Sequence, residues 1–446
     1  MAPEAALGSG GPHNHAASTT DDDGSSPYDI PDRYENLDEL AATSDAPLDD
    51  IRSGEQQVHP PQPQIAQSPL RDDEDKAAHE VSRLATQVYT LSYLVLFAIF
   101  GTLARVGLAH LTAYPGAPAG SFPTLWANVG GSLVMGFLVE DRKLFRYEWG
   151  TSSTSATYDA VLRRRRAGSA ASVDLAAAKR AHLAAKKTIP LYIGLATGFC
   201  GSFTSFSTFI RDVFLALSND MVGPDLRGLG PESRPAGDSV MAVLAVIIQT
   251  VGLSLAAYRA GAHLGAALEP YTPSVPSLGR RARHALDALG VFLGWGCWLG
   301  AVLLAIFPPH ERWRGTVVFA IVFAPLGCLA RFYLALLLNA RRPSFPLGTF
   351  AANILGTMIL GAAWDIAHSA ASGGGVLGCQ LLQGVEDGFC GCLTTVSTWV
   401  AELSSLRRRS AYVYGVVSVA LATALMVVIM GSLRWTQGFA PLQCHP

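Results

Sequence analysis

An apolar run from Ile189 to Leu217 is interrupted by Gly198-Phe199-Cys200-Gly201-Ser202-Phe203-Thr204-Ser205-Phe206-Ser207-Thr208-Phe209, whose glycines and hydroxyls make a poor continuous helix. A helix broken at membrane depth frees backbone groups that lipid cannot bond. Such a break persists only where protein or water covers it, usually at a conduction or binding site. The pattern returns as Gly388-Phe389-Cys390-Gly391-Cys392-Leu393-Thr394-Thr395-Val396-Ser397-Thr398-Trp399, inside an apolar run that reaches Leu406. Two broken spans of one pattern predict a chain that builds the same membrane module twice.

At 446 residues, with 50% of its side chains apolar and 15% charged, the chain is too hydrophobic for an ordinary soluble domain. The composition reads as an all-α polytopic membrane protein. A formal net charge of −2 suggests no nucleic-acid partner, and Lys and Arg cluster in loops, where they report topology. Four cysteines, Cys200, Cys328, Cys390 and Cys392, lie in predicted spans, where a small polarizable residue packs between helices more readily than it forms a disulfide or binds metal. Cys390-Gly391-Cys392 has no companion cluster to complete a zinc site, and the histidines show no metal-ligand spacing. No Walker-type loop, Ser/His/Asp arrangement or dinucleotide fingerprint stands out, so no enzymatic activity is expected.

Residues 1–85 are rich in Asp, Glu, Ser, Pro and Gln and carry no apolar period, the composition of a disordered tail. No cleavable signal peptide opens them, so the first span directs insertion with the N-terminus cytoplasmic. The first repeat, 86–267, is expected to hold four spans: about 88–111 with Arg105, about 122–139 with Asn128, the first broken span, and about 240–264. A basic insertion over 140–187, with Arg163 to Arg166, reads as a cytoplasmic loop. Residues 268–314 supply a linking span, and 315–434 repeat the first four, with Arg331, Asn353, the second break and a final span before a tail over 435–446. Nine spans are predicted, each reaching the ~20 residues that cross a bilayer.

The repeat is legible residue by residue: Thr124, Asn128, Gly131, Ser132 and Gly136 share their spacing with Thr349, Asn353, Gly356, Thr357 and Gly361. An odd number of crossings separates equivalent spans, so the two four-helix repeats are inverted. With the N-terminus inside, Arg163 to Arg166, Arg280 to Arg283, Arg341-Arg342 and Arg407 to Arg409 all fall on the cytoplasmic side.

Asn128 and Asn353 offer amide donors within apolar spans, and Thr124, Thr349, Ser207 and Thr208 offer hydroxyls. Donors without nearby fixed cations suit a small anion that must shed water without being trapped. Phe206 and Phe209 can present positive ring edges to such an anion, although phenylalanines at this spacing more commonly pack between membrane helices. Thr250 and Ser254, like Tyr414 and Ser418, lie one turn apart as polar tracks, although hydroxyls in membrane helices commonly satisfy their own backbone. Intramembrane Arg105 and Arg331 read either as site residues or as anchors near helix ends.

These segments together, 198–209, Thr124 to Gly131 and the Arg105 and Arg331 helices, resemble the Fluc/FEX (CrcB-type) fluoride channels. The two-module layout with its linking helix is similar to the eukaryotic members and covers about residues 88–433. The resemblance implies passive, selective fluoride export across the plasma membrane by an internal pseudo-dimer within a single chain. It also implies two pores with a phenylalanine box, matching Phe206 and Phe209, with pore asparagines at Asn128 and Asn353 and pore threonines at Thr124 and Thr349. A central structural Na+ would be held by the backbone carbonyls of Gly201, Thr204, Gly391 and Thr394. The second break carries Val396 and Trp399 where the box would repeat, so one conducting and one vestigial pore are expected. Which asparagine shares a cavity with Phe206 and Phe209 is open at this point. Two rivals come from other classes. An anion/proton exchanger would need a titratable group at mid-membrane, and Glu402, Asp365 and Glu140 lie toward span ends while Glu386 and Asp387 precede the second break. A non-transporting scaffold would tolerate changes at Asn128 or Phe206.

Overall fold

Proline opens two of the helices at positions where its missing N–H costs nothing, Pro123 in α2 (Pro123–Glu140) and Pro190 in the broken helix α3 (residues 190–203). The structure is a computed structural model that describes residues 69–112, 122–145, 183, 186–221, 234–273, 280–308, 313–369, 375–442 and 444. All regular elements among the described residues are helical. Helix α1 (Pro69–Thr112) and α2 precede α3, which continues after a break as α4 (Phe206–Ser218), and α5 (Ala236–Ala267) completes the first module. After α6 (Arg280–Ile306) come α7 (residues 314–338), α8 (Leu347–Ala367), the broken pair α9 (residues 375–393) and α10 (Ser397–Ser405), and α11 (Arg408–Thr436).

Helix α1 begins at Pro69, so residues 69–85 are helical where a disordered tail was expected. Their Leu, Ala, Glu, Lys and Arg are good helix formers, and the adjoining span supplies the nucleus on which they propagate. Residues 1–68 and the Arg163 to Arg166 run lie outside the described residues.

Among the described residues, seven helices are long and apolar enough to cross a membrane. The two other expected spans, α2 and the α9–α10 pair, are present as helices but fail on apolarity. Helix α2 carries Thr124, Asn128 and Ser132, and α9–α10 carries Glu386, Asp387 and Glu402. These polar groups are tolerated because they face protein: Asn128, Ser132 and Glu402 are each 0% exposed.

Within the first module α2 lies against α5 at backbone distance. A Cβ at Gly136 would overlap the Tyr258 carbonyl oxygen, and one at Gly261 would overlap that of Leu133. We expect Gly136→Val to force α2 and α5 apart, at the cost of ~1–3 kcal/mol or more that overpacking brings. Thermal unfolding in detergent reads this directly, and an unshifted midpoint would mean that the contact contributes nothing. Gly131 and Gly356 do a different job, since a Cβ on either would collide with the methyl of Thr204 or Thr394. The second helix of each module thus leaves room for the threonine at its own break.

The modules interlock. Helix α4 packs on α8 and α10 packs on α2, so the second half of each broken helix lies against the other module. Helix α6 runs outside this core along α1 and α7, held by Tyr93 Oη donating to Asp287 Oδ1 (3.0 Å) and Trp298 Nε1 donating to the Val322 carbonyl (2.9 Å). Its opposite face exposes Leu289, Phe292, Leu299 and Leu303, as a lipid-facing helix does.

Candidate pore at the crossed helix breaks

Each broken helix passes through a short π-helical stretch, Gly194–Cys200 in α3 and Val385–Cys390 in α9, before the chain becomes extended at Thr204 (ψ 152°) and Thr394 (ψ 153°). The two breaks meet and cap one another. The Thr394 hydroxyl donates to its own Cys390 carbonyl (2.9 Å) and accepts from Phe206 N (3.1 Å) and Ser207 N (3.0 Å), the first N–H groups of α4. Reciprocally, the Thr204 hydroxyl donates to the Cys200 carbonyl (3.0 Å) and accepts from Val396 N (3.2 Å) and Ser397 N (3.1 Å) at the start of α10. Each break thus has two backbone N–H groups at the following helix start satisfied by the opposite module.

Asn128 and Asn353 turn inward onto their own breaks. Ser205 N donates to Asn128 Oδ1 (2.8 Å) while Asn128 Nδ2 donates to the Ser205 carbonyl (3.4 Å); Thr395 and Asn353 repeat this at 2.9 and 3.2 Å. One consequence concerns the four carbonyls of Gly201, Thr204, Gly391 and Thr394. In a continuous helix these would accept from the N–H groups of Ser205, Thr208, Thr395 and Thr398. Those groups are bonded to side chains instead: Asn128, Ser205 Oγ (3.3 Å), Asn353 and Thr395 Oγ1 (3.4 Å). The carbonyls released from the ladder are a donor set that fits a hard monovalent cation.

Arg105 and Arg331 do not snorkel: they are 6% and 1% exposed. Arg331 donates through Nε to the Cys392 carbonyl (2.9 Å) and through Nη2 to the Thr197 carbonyl (2.7 Å), bridging the two modules. Arg105 reaches the Asp387 carbonyl in the opposite module. Both arginines thus occupy carbonyls loosened by the π-helical stretches.

Phe206, Phe209 and Trp399 form a buried aromatic group. The Phe206 ring meets Phe209 edge-on (centroids 5.6 Å, 82°) and Trp399 edge-on (5.4 Å, 67°), so it stands between its own module and the other. Val396 is also fully buried but has no ring to contribute. Asn128 is tied to the break immediately before Phe206, whereas Asn353 is tied to the break before Val396.

The two polar tracks differ. On α11, Ser418 donates to the Tyr414 carbonyl one turn back (2.7 Å). On α5, Thr250 Oγ1 and Ser254 Oγ are wholly buried with no hydrogen-bond partner, and the Trp399 indole N–H is likewise buried and unpartnered. Each such donor costs ~1–3 kcal/mol, and the hydroxyls of Ser132, Ser202 and Thr423 are likewise buried without a partner.

One turn beyond Phe209 and beyond Trp399 stands a carboxylate whose place in the site the sequence reading missed. Glu402 Oε1 accepts from Thr349 (2.6 Å) and Oε2 from Tyr414 (2.6 Å), with no exposure to solvent. Asp212, at the matching position, pairs with Arg211 (3.2 Å) beside Thr124. The shared spacing Phe206/Phe209/Asp212 and Val396/Trp399/Glu402 was the available signal. Thr124 and Thr208 open onto a cavity of about 210 Å3 that is also lined by Arg105, His110, Arg211 and Asp387. Arg105 Nε and Nη1 have no hydrogen-bond partner there.

A lid of aromatic and ionic contacts lies on the same side. Arg211 sits over the Trp364 ring (5.3 Å), Trp364 stacks on His368 (4.0 Å), and Phe439 from the C-terminal segment meets both. Ala440 N donates to the His368 carbonyl (2.8 Å), and a disulfide joins Cys379 to Cys444. The four span cysteines, by contrast, are buried thiols outside any disulfide. The pairing of Cys379 with Cys444 went unread because the two are 65 positions apart.

A family model described as CrcB-like protein, Camphor Resistance (CrcB), matches residues 92–262 and 318–432. Fluoride export protein 1 of Neurospora crassa is 52% identical over 94% of this chain and 85% of its own length. Fluoride export protein 1 of Candida albicans is 33% identical over 76% of this chain and 79% of its own length. The Fluoride-specific ion channel FluC of Pseudomonas aeruginosa is 36% identical over 28% of this chain and 98% of its own length, so a whole bacterial protein corresponds to about one module. No solved structure matches.

Proposed function

The chain belongs to the CrcB-like family, and from that premise we propose that it is a passive, fluoride-selective channel exporting the cytoplasmic anion across the plasma membrane. The observations that support this reading are the unpartnered buried donors Thr250, Ser254 and the Trp399 N–H, together with the edge-on contact of Phe206 with Phe209 and Trp399. Neutral donors and ring edges replace the hydration of a small anion without holding it as a fixed cation would. Arg105 and Arg211, with Asp387 beside them, line the cavity onto which Thr124 and Thr208 open. The driving force needs no pump. Hydrogen fluoride crosses membranes as a neutral acid and ionises inside, and an inside-negative potential then expels the anion.

The reading has one conducting and one vestigial pore within a single-chain pseudo-dimer. Its support is Val396, which removes a ring at the second break, and the polar tracks: Thr250 and Ser254 on α5 have no partner, whereas on α11 Ser418 bonds its own helix and Thr423 does not. The carbonyls of Gly201, Thr204, Gly391 and Thr394 would hold a structural Na+. Bound there, the ion would supply positive charge to four carbonyl dipoles at the centre of the crossing. We place the N-terminus in the cytoplasm. The basic loops support this, and so does the disulfide, because it lies on the opposite side, where an oxidising environment lets disulfides persist.

The test is anion efflux from liposomes holding the full chain, with valinomycin and a potassium gradient setting the voltage. Voltage-driven loss of fluoride, with chloride retained and no pH gradient applied, is expected. Buried Glu402, with its two hydroxyl donors, favours one other reading, proton-coupled exchange. Flux that requires a proton gradient would replace the channel with that exchanger, and loss of neither anion would return the chain to a scaffold.

A further inference from the structure

A groove of about 910 Å3 opens sideways between α5 of the first module and α11 of the second, with α10 as its floor. Its walls are apolar, Ile247, Val251 and Leu255 on one side and Val416 and Val419 on the other, and Trp399 lies at its base. Apart from the Trp399 indole, Ser404 and Thr423 its membrane-depth lining is apolar, which favours hydrocarbon over water. One end is different. Arg259, near the end of α5, and Arg408, at the start of α11, both line the groove, both are exposed, and Tyr412 stands beside them. No carboxylate is among the lining residues described. Two guanidinium forks and an interfacial tyrosine at the mouth of an apolar slot match a lipid phosphate with its acyl chain.

At the other end of α11 the cation is already engaged. Arg434 pairs with Asp220 at 2.7 Å, and Trp435 lies against Phe214 at 6.0 Å. The charge complementarity is therefore confined to the Arg259–Arg408 end.

We propose that this groove binds one anionic phospholipid, its phosphate held by Arg259 and Arg408 and its acyl chain lying between α5 and α11 over Trp399. Because Trp399 meets Phe206 edge-on at 5.4 Å, the lipid tail abuts the aromatic group of the pore. The leaflet, cytoplasmic in the orientation above, rests on that reading, whereas the binding itself does not.

Native mass spectrometry of the full chain, released from detergent with equal amounts of phosphatidylserine and phosphatidylcholine of matched acyl chains, tests this without reference to flux. The first lipid retained should be phosphatidylserine by at least about tenfold over phosphatidylcholine. The double variant Arg259→Gln/Arg408→Gln should fall to parity. Val416→Trp, which fills the slot and leaves both arginines, should also lose the tightly held lipid. Equal retention of the two lipids by the unmodified protein would overturn the proposal, and so would undiminished phosphatidylserine retention by the arginine double variant. Displacement of the lipid by millimolar inorganic phosphate would mean that only the charge is recognised, and would overturn the acyl-chain part.

Discussion

Phe206→Ile will abolish fluoride efflux from liposomes while leaving the protein folded and monodisperse. Phe206 is 0% exposed and is the ring that touches both Phe209 and Trp399, so it links the aromatic residues of the two modules. Isoleucine retains an apolar side chain but removes the electropositive edge that can face an anion. A drop of at least about 100-fold is expected, equivalent to roughly 2.7 kcal/mol on the barrier. Thermal unfolding measured in parallel separates lost conduction from lost structure. Efflux within a few-fold of the unmodified protein would remove the ring from the conduction path. Val396→Ile supplies the contrast, since a position without a ring has no edge to lose and efflux should be retained.

The second large effect is expected at the crossing. Thr394→Val preserves shape but removes the acceptor for Phe206 N and Ser207 N, and Thr204→Val does the same for Val396 N and Ser397 N. Each buried N–H left without a partner costs ~1–3 kcal/mol, so either variant should lose about 2–6 kcal/mol. The midpoint of thermal unfolding in detergent should fall sharply for both valine variants, and Thr394→Ser, which keeps the hydroxyl, should recover most of the loss. A Thr394→Val protein as stable as the unmodified chain would show that the modules do not depend on reciprocal capping.

How much of this was legible beforehand can be traced residue by residue. Glycine and hydroxyl clusters inside apolar runs marked both breaks, and the matched Thr, Asn and Gly spacings marked the repeat. Asn128 and Asn353 were recognised as polar residues inside spans, yet their use differs from the expectation. They read as donors facing an anion, and the structure finds each holding the backbone of its own break. Arg105 and Arg331 were ambiguous because an intramembrane cation is recognised by its partner, and those partners are carbonyls rather than acids. Thr250, Ser254 and Ser418 look alike in sequence. Only the first two lack a partner, because back-bonding one turn earlier depends on the local rotamer and its surroundings.

The amino-acid sequence by itself determined the class of the protein, its two repeats and the position of both breaks. These follow from local rules: hydropathy over a span and the poor helix-forming character of glycine and hydroxyl clusters. The tertiary structure alone decided which groups satisfy one another across the modules. Thr204 and Ser397 are 193 positions apart, and Arg331 and Thr197 are 134 apart. Such pairs exist only because two modules interlock at their breaks. In a bilayer no water is available to serve as a substitute partner, so the interlocking determines which buried donors are satisfied and which are left without a partner.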